Sequence, residues 1–354
     1  MSPAATHDVH RGSLPFPRSL PEFQRLFPDD AACAAYLERC RWPEQFICPH
    51  CAAEDDTPFR FAARPGVLRC RECRKDTSLT AGTVMHRTRM PLSTWFWAAY
   101  LVTTQTPGMS AQQFARQLGI ERYETAFQIL HKLRAGMVRP NVDRIGGKGV
   151  IVELDETLIG GATRGSGRGV HHMAYVVGAV ESLQRPPVPE GTKATKATLR
   201  RNSTYAGRLR LRAVQDRTAG SLLQFARDSI EQRTLVRTDD WGGYSRLARD
   251  CGVRHDPATE GGDPEVAERH LPLIHLVFSN LKSWLTGTHH GVSPKHLQAY
   301  LNEFTFRFNR RFYPFNGFRS LLGIGAATEA PTYDELYSDK CVHPVAVGPW
   351  ELTG

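Results

Sequence analysis

The sequence predicts an α/β protein in which a mixed-sheet core follows two smaller modules. Three observations lead to this prediction. Two closely spaced cysteine pairs lie near the N-terminus, a helical stretch follows them, and β-branched segments then alternate with helical ones. Because 354 residues exceed the usual size of one domain, we expect several units. Their predicted bounds are 1–40 for a leader with short helices, 41–86 for the cysteine-rich module, 87–145 for a helical domain, 146–320 for the sheet core and 321–354 for a C-terminal tail.

The chain is basic, with a net charge of +9 and a pI near 9.3. This balance favours contact with a polyanion and predicts binding that weakens as salt rises. Apolar residues make up 41% of the chain, yet no uninterrupted apolar run is long enough to span a bilayer. The N-terminus also lacks the apolar segment of a secretion signal. These features predict a soluble, cytoplasmic protein without a membrane partner.

Two C-x2-C pairs, Cys48 with Cys51 and Cys70 with Cys73, are separated by eighteen residues. This spacing is typical of a four-cysteine zinc ribbon, and the absence of an export signal argues against disulfides. Four protein ligands leave no open position on the metal, so we expect one structural Zn²⁺ that supplies folding energy to a small module. His50 is an alternative ligand, and incidental cysteines or a redox pair are the alternative interpretation.

Residues 110–130 have the residue pattern of a helix-turn-helix, with Ser110 as the N-cap of the first helix and Gly119 at the turn. In DNA-binding proteins of this kind, the second helix lies in the major groove. The side chains then expected near DNA are Arg122, Tyr123, Thr125 and Gln128. The alternative is a purely structural packing of three helices.

The second half of the chain predicts strands at 150–155, 173–182, 208–216, 234–239 and 253–258. Helices are predicted at 221–233, 269–286 and 294–310, with a brief one between the last two strands. Three strands, a helix, a strand, a helix, a strand and closing helices is the order of an RNase H-like core. The basic stretch 185–206 is predicted to be an exposed hairpin loop or insertion.

Two aspartates, Asp155 and Asp239, are each predicted to end an apolar strand. Carboxylates at the ends of adjacent strands can share two divalent ions about 4 Å apart, which activate a water or a 3′-hydroxyl and stabilise the leaving oxygen in phosphoryl transfer. The alternative is that each aspartate only caps a turn. Asp240 is the alternative to Asp239.

With these motifs the chain resembles the bacterial insertion-sequence transposases that carry an N-terminal zinc ribbon ahead of a D-D-E-type catalytic domain. The matching segments span about 45–315. They are CPHC…CREC, SLTAGTVMHRTRMPLSTWFWA, VELDETLIGG, TDDWGGY and SNLKSWLTGTHHGVSPKHLQAYLNEFTFRFNRR. In this family the third ligand lies on a helix about 35 residues after the second aspartate, and a basic residue follows seven positions later. Counting 36 residues from Asp239 reaches His275, and seven more reach Lys282. The resemblance therefore implies a D-D-H-K active site made of Asp155, Asp239, His275 and Lys282.

A histidine at the third position changes the expected metal chemistry. Imidazole is a poor ligand for Mg²⁺ and suits Mn²⁺ better, so we expect two catalytic ions of either kind. Positions i and i+7 share a helix face, which would direct Lys282 to a phosphate while His275 approaches the metals. His275 could instead act as a general base or contact the scissile phosphate. Glu303 ranks second and Glu268 third for the ligand role.

The resemblance implies an enzyme that binds the terminal inverted repeats of its element, cleaves DNA and transfers the freed 3′-end. Arg164 and Arg168, in a Gly-rich loop, are expected near phosphates. Joining two ends implies at least a dimer on DNA, in the nucleoid of a bacterial cell. The alternatives are an RNase H-like nuclease without joining activity and an inert zinc-ribbon DNA-binding regulator.

Overall fold

The computed structural model describes residues 14–139, 142–160, 173–185, 204–258, 269–338 and 343–346. The chain divides into two compact units, which are Met1–Arg139 with Arg310–Pro344 and Pro140–Asn309 with Val345–Gly354. Three of the predicted site residues, Arg164, Arg168 and Glu268, lie outside the described residues. Residues 186–203, which make up most of the predicted insertion, also lie outside them.

The described elements follow one another along the chain as α1 (Leu20–Leu26), α2 (Asp30–Arg41), β1 (Phe46–Ile47), β2 (Glu54–Asp55), β3 (Phe59–Arg60), β4 (Val67–Arg69), β5 (Asp76–Ser78), α3 (Leu92–Thr104), α4 (Ala111–Gln117), α5 (Tyr123–Ala135), β6 (Ile151–Gly160), β7 (Met173–Gln184), β8 (Thr204–Val214), α6 (Ala219–Ser229), β9 (Leu235–Thr238), a 3-10 turn (Gly242–Tyr244), α7 (Leu247–Cys251), β10 (Arg254–Pro257), α8 (Pro272–His289), α9 (Pro294–Phe308), α10 (Pro314–Gly325) and α11 (Tyr333–Tyr337).

The first unit has an aromatic core built from helices at both ends of its sequence. Phe23 and Phe27 lie one helical turn apart on one face, and Phe318 of α10 packs against them at ring-centroid distances of 5.9 and 5.4 Å. Phe96 of α3 packs 4.9 Å from Phe27. The cysteine-rich segment of this unit forms two small antiparallel sheets, β1–β2 and β3–β4–β5.

The second unit is a five-stranded mixed sheet in the order β10-β9-β6-β7-β8. Strands β9 and β10 run parallel to β6, whereas β7 pairs antiparallel with both β6 and β8. The sheet and its helices confirm the predicted α/β class with an RNase H-like element order. No helix within the described residues is both long and apolar enough to cross a membrane.

Each face of the sheet has its own apolar core, because alternate strand residues point to opposite faces. On β7, Val176 and Val180 belong to the core that includes residues of α8, whereas Val177 and Ala179 belong to the core that includes residues of α6. Gly178, between them, is where α8 comes closest. A Cβ atom there would lie 2.8 Å from Phe278 and 2.9 Å from Ile274. The glycine therefore allows α8 to pack directly on the middle of the sheet.

The prediction that Asp155 ends its strand is wrong, whereas Asp239 directly follows β9 as predicted. Strand β6 continues to Gly160 because β7 pairs with all ten of its residues. The parallel partner β9, however, pairs only with Ile151–Glu153. Asp155 thus lies just beyond the last residue of β6 that pairs with β9, and Asp239 lies just beyond the end of β9. Both aspartates remain neighbours even though only one of them ends a strand.

Candidate active site and metal centre

The four cysteines of the first unit form a cluster that fits a zinc ion. Their Sγ atoms all lie within 4.8 Å of one another. The Sγ atoms of Cys48 and Cys73 are 3.6 Å apart, and those of Cys51 and Cys70 are 3.7 Å apart. Tetrahedral ligation at a Zn–S distance of about 2.3 Å places sulfurs about 3.8 Å apart. The predicted four-sulfur ligand set is therefore brought together by the fold and supports one structural zinc.

Both cysteine pairs form the same turn. The backbone N–H of Ala52 donates to Cys48 O at 2.9 Å, and that of Arg74 donates to Cys70 O at 3.1 Å. His50, the alternative ligand, contributes its backbone N–H, which donates to Cys48 Sγ at 3.4 Å. Burial acts to raise the pKa of the Cys48 thiol. Hydrogen bonds to its sulfur, of which the one from the His50 backbone N–H has the largest effect, outweigh burial and lower the pKa to about 7. These hydrogen bonds favour the thiolate of Cys48, the form in which a cysteine binds a metal.

In the second unit, Asp155 and Asp239 are half-buried and held by backbone hydrogen bonds. Asp155 Oδ1 accepts from the N–H of Glu156 at 2.8 Å, and Asp239 Oδ1 accepts from that of Trp241 at 3.1 Å. Burial raises the pKa of Asp239, and the negative charge of Asp155 adds to the rise, although the bond from Trp241 opposes it. Two carboxylates that repel each other in this way form a donor set that divalent cations stabilise.

Helix α8 brings His275 to Asp155. Its Nε2 atom lies 3.3 Å from Oδ2 of Asp155, and its side chain is 34% exposed. The donor atoms of Asp155, Asp239 and His275 do not all lie within 4.8 Å of one another. These three side chains therefore do not converge on one point as the four cysteines do.

The remaining predicted catalytic residues lie on helices α8 and α9. Lys282 is exposed on α8, two turns after His275. Glu303 is 1% exposed on α9, and Arg307, one turn further along that helix, lies 3.5 Å from its carboxylate. Helix α9 packs against the edge strand β8, whereas Asp155 lies on the central strand β6.

Sequence reasoning missed Glu153, which joins β6 to the start of α8. Its carboxylate is 1% exposed, and Oε2 accepts the backbone N–H groups of Leu273 at 2.7 Å and Ile274 at 2.9 Å. Leu271 offers no side-chain cap to this helix, so Glu153 satisfies its first N–H groups. Burial raises the pKa of Glu153 although these bonds oppose it. The glutamate within the apolar run VIVELD could have indicated this contact, because a buried charge needs hydrogen-bond partners.

Sequence reasoning also missed Glu156 and Tyr244. Glu156 is 7% exposed, and its Oε2 accepts a hydrogen bond of 2.6 Å from the Tyr244 hydroxyl. Burial raises the pKa of Glu156, the Tyr244 bond opposes the rise, and the negative charges of both aspartates add to it. The site therefore holds a third acid beside the two predicted ones. The position of Glu156 directly after Asp155 in the sequence could have indicated it.

The helix-turn-helix segment forms α4 and α5, which pack together. Ser110 is confirmed as the N-cap, since its Oγ accepts from Gln113 N at 3.2 Å, and Gly119 adopts a left-handed φ of 62°. Of the residues predicted to meet DNA, Arg122 is exposed at the start of α5 and Thr125 is half-buried. Gln128 is also half-buried, and its side chain hydrogen-bonds the Tyr337 hydroxyl of α11.

Comparisons with known proteins identify two regions of the chain. Residues 146–309 match the ISXO2-like transposase domain, and residues 28–76 match the transposase zinc-ribbon domain. A protein of Halobacterium salinarum, described as an uncharacterized protein in transposable element ISH50, is 22% identical over 300 residues, which are 80% of this chain and 92% of the relative. No solved structure matches the chain. The fold, the cysteine cluster and the first two matches define a zinc-ribbon transposase. The chain belongs to an insertion-sequence transposase family.

Proposed function

We propose that this transposase binds the terminal inverted repeats of an insertion sequence, cleaves the DNA at each end and transfers the freed 3′-end to target DNA. The observation that carries the proposal is the contact of 3.3 Å between His275 and Asp155. This contact supports the proposal that the third position of the D-D-H-K pattern acts beside the first carboxylate of an RNase H-like sheet. No protein nucleophile takes part, because the attacking group is a water or a 3′-hydroxyl.

Asp155, Asp239 and His275 are the residues proposed to hold two divalent ions, Mg²⁺ or Mn²⁺. When bound, such ions activate the attacking oxygen and stabilise the leaving one. The imidazole of His275 favours Mn²⁺ over Mg²⁺. The contact with Arg307 supports ranking Glu303 below His275, because it offers that buried carboxylate a partner within its own helix. Glu268 stays a third proposal.

The other predicted residues have supporting roles in this proposal. The zinc ribbon and the surface of α5 that carries Arg122, Thr125 and Gln128 bind the ends of the element. Lys282 contacts a phosphate from the exposed face of α8, and Arg164 and Arg168 contact phosphates near the first catalytic strand. Because two ends must be joined to one target, the active assembly is at least a dimer.

The test uses the full chain with oligonucleotides of its cognate ends in Mg²⁺ and in Mn²⁺. Asp155→Asn, Asp239→Asn and His275→Ala, each made singly, are expected to bind the ends and to lose cleavage. Asp240→Asn is the matched control, since Asp240 is adjacent and exposed, and it is expected to cleave normally. A wild-type protein that is inert in both metals refutes the proposal in favour of a regulator. Cleavage without joining of a precleaved end refutes it in favour of a nuclease.

A further inference from the structure

Arg217 lies between β8 and α6, and Trp241 contacts both its side chain and its backbone. The Cζ atom of the guanidinium lies 3.9 Å from the centroid of the Trp241 ring. The Nε1–H of the same ring donates to the backbone carbonyl of Arg217 at 3.4 Å. A guanidinium stacked on an aromatic face loses part of its rotational freedom before any ligand binds. Arg217 is therefore oriented in advance by the residue two positions after Asp239.

The guanidinium stands at the solvent side of the acidic site. Arg217 is 47% exposed, and its Nη1 atom lies 3.8 Å from Oε1 of Glu156. Its positive charge opposes the rise in pKa of both Asp239 and Glu156. A polyanion that approaches the two aspartates from solvent therefore meets a positive group beside them.

Neutralising Glu156 does not account for this arrangement. At 3.8 Å the pair is too long for a hydrogen bond, and the Tyr244 hydroxyl already donates to the other oxygen of Glu156 at 2.6 Å. Toward the described residues, the Arg217 guanidinium donates no hydrogen bond within 3.5 Å. Its planar set of five N–H donors matches the oxygens of a phosphate.

We propose that Arg217 binds a backbone phosphate of the DNA strand that enters the active site, and that Trp241 is its positioning residue. This inference rests on the proposed function, because it requires that DNA is the substrate. It adds to the D-D-H-K set a phosphate contact from the loop before α6, on the side of Asp239 and Glu156.

The experiment measures how the affinity of the full-length protein for an end oligonucleotide depends on KCl, without divalent ions so that no cleavage occurs. Each phosphate contact contributes about 0.7 to 0.9 to the slope of log K against log salt concentration. Arg217→Gln is expected to reduce the slope by that amount, and Arg217→Lys is expected to keep it. The matched control is Arg246→Gln, in which the lost arginine is 57% exposed and pairs with Asp250. It is expected to keep the wild-type slope.

Two further variants test the positioning role of Trp241. Trp241→Phe preserves an aromatic face and is expected to retain the slope, whereas Trp241→Ala is expected to lower it toward that of Arg217→Gln. Thermal melting of each variant confirms that it is folded. A folded Arg217→Gln protein with the wild-type slope overturns the inference. A wild-type slope in Trp241→Ala overturns the positioning role.

Failure of the inference and failure of the proposed function give different results. If the wild-type protein neither binds nor cleaves the ends in Mg²⁺ or Mn²⁺, the proposed function fails. If the wild-type protein cleaves and joins them while Arg217→Gln keeps the full salt slope, only the phosphate contact fails.

Discussion

The Nε2 atom of His275 lies 3.3 Å from Oδ2 of Asp155, which joins the first turns of α8 to the middle of β6. Two other features hold the same helix against the sheet. Glu153 accepts its first backbone N–H groups, and Gly178, the register partner of Asp155, leaves room for its side chains. The position of His275 thus depends on residues that carry none of the proposed chemistry.

Replacing Glu153 tests whether its hydrogen bonds hold α8 in place. In Glu153→Leu, the N–H groups of Leu273 and Ile274 lose their acceptor, which costs about 1–3 kcal/mol for a buried donor. Urea unfolding is expected to show this loss, and DNA cleavage is expected to fall with it. Glu153→Gln retains an acceptor oxygen and is expected to recover most of both. Equal stability of wild type and Glu153→Leu contradicts the prediction.

Gly178→Ala tests the close approach of α8. Its Cβ would lie 2.8 Å from Cε1 of Phe278 and 2.9 Å from Cδ1 of Ile274, so the side chains of α8 at this contact must shift. Overpacking of this kind costs about 1–3 kcal/mol, and we expect reduced cleavage because His275 moves with the helix. The matched control is Gly220→Ala in α6, where only the Thr218 hydroxyl lies within 4 Å, at 3.8 Å. The control is expected to be neutral or slightly stabilising. Wild-type cleavage by Gly178→Ala would show that the approach is dispensable.

His275→Glu is expected to change the metal preference of cleavage. A carboxylate supplies the hard oxygen that Mg²⁺ prefers, whereas imidazole favours Mn²⁺. The ratio of cleavage rates in Mg²⁺ and Mn²⁺ should therefore rise in His275→Glu, while His275→Ala should lose activity in both. An unchanged ratio would indicate that His275 is not a metal ligand.

Cys70→Ser is expected to abolish zinc binding by the first unit. A thiolate is lost from a set of four, and a module of this size depends on the metal for its folding energy. Zinc content per chain is expected to fall from about one to about zero, with loss of binding to DNA ends. The control Cys251→Ala removes a buried thiol of the second unit and should leave the zinc content unchanged. Retention of zinc by Cys70→Ser argues against the four-cysteine site.

Glu181, which is not one of the proposed catalytic acids, is expected to make the stability of the fold depend on pH. Burial acts to raise its pKa, but the hydrogen bonds and charge of Arg208 and the N–H of Gly146 outweigh burial and lower it. A lowered pKa stabilises the fold above the unfolded-state value of about 4.3, and this contribution disappears as pH falls through the folded-state value.

Glu181→Gln is therefore expected to lower the free energy of unfolding by about 1–3 kcal/mol at pH 7. The difference from wild type is expected to shrink as the pH falls below about 4.3. Urea unfolding across this range measures it, with the exposed Glu231→Gln as control. A difference that is independent of pH would show that the charge of Glu181 is unimportant.

Local patterns predicted a large part of the fold. The C-x2-C spacing predicted the four sulfurs that meet, and residue periodicity predicted each of the five strands of the core sheet. The misplaced end of β6 shows the limit of such patterns. Apolar alternation indicates a strand, but the pairing with β7 that extends β6 past Asp155 depends on a segment further along the chain.

By itself the sequence predicted the α/β class, the four cysteines that cluster and the two aspartates that become neighbours, because each depends on short spacing or local periodicity. Only the tertiary structure decided that His275 meets Asp155, that Glu153 supports α8 and that Arg217 rests on Trp241. Glu153 and Leu273 are 120 positions apart, and their contact depends on how α8 packs across the sheet at Gly178. Local propensity does not encode packing at that separation, so these neighbours of the active site emerge only from the folded chain.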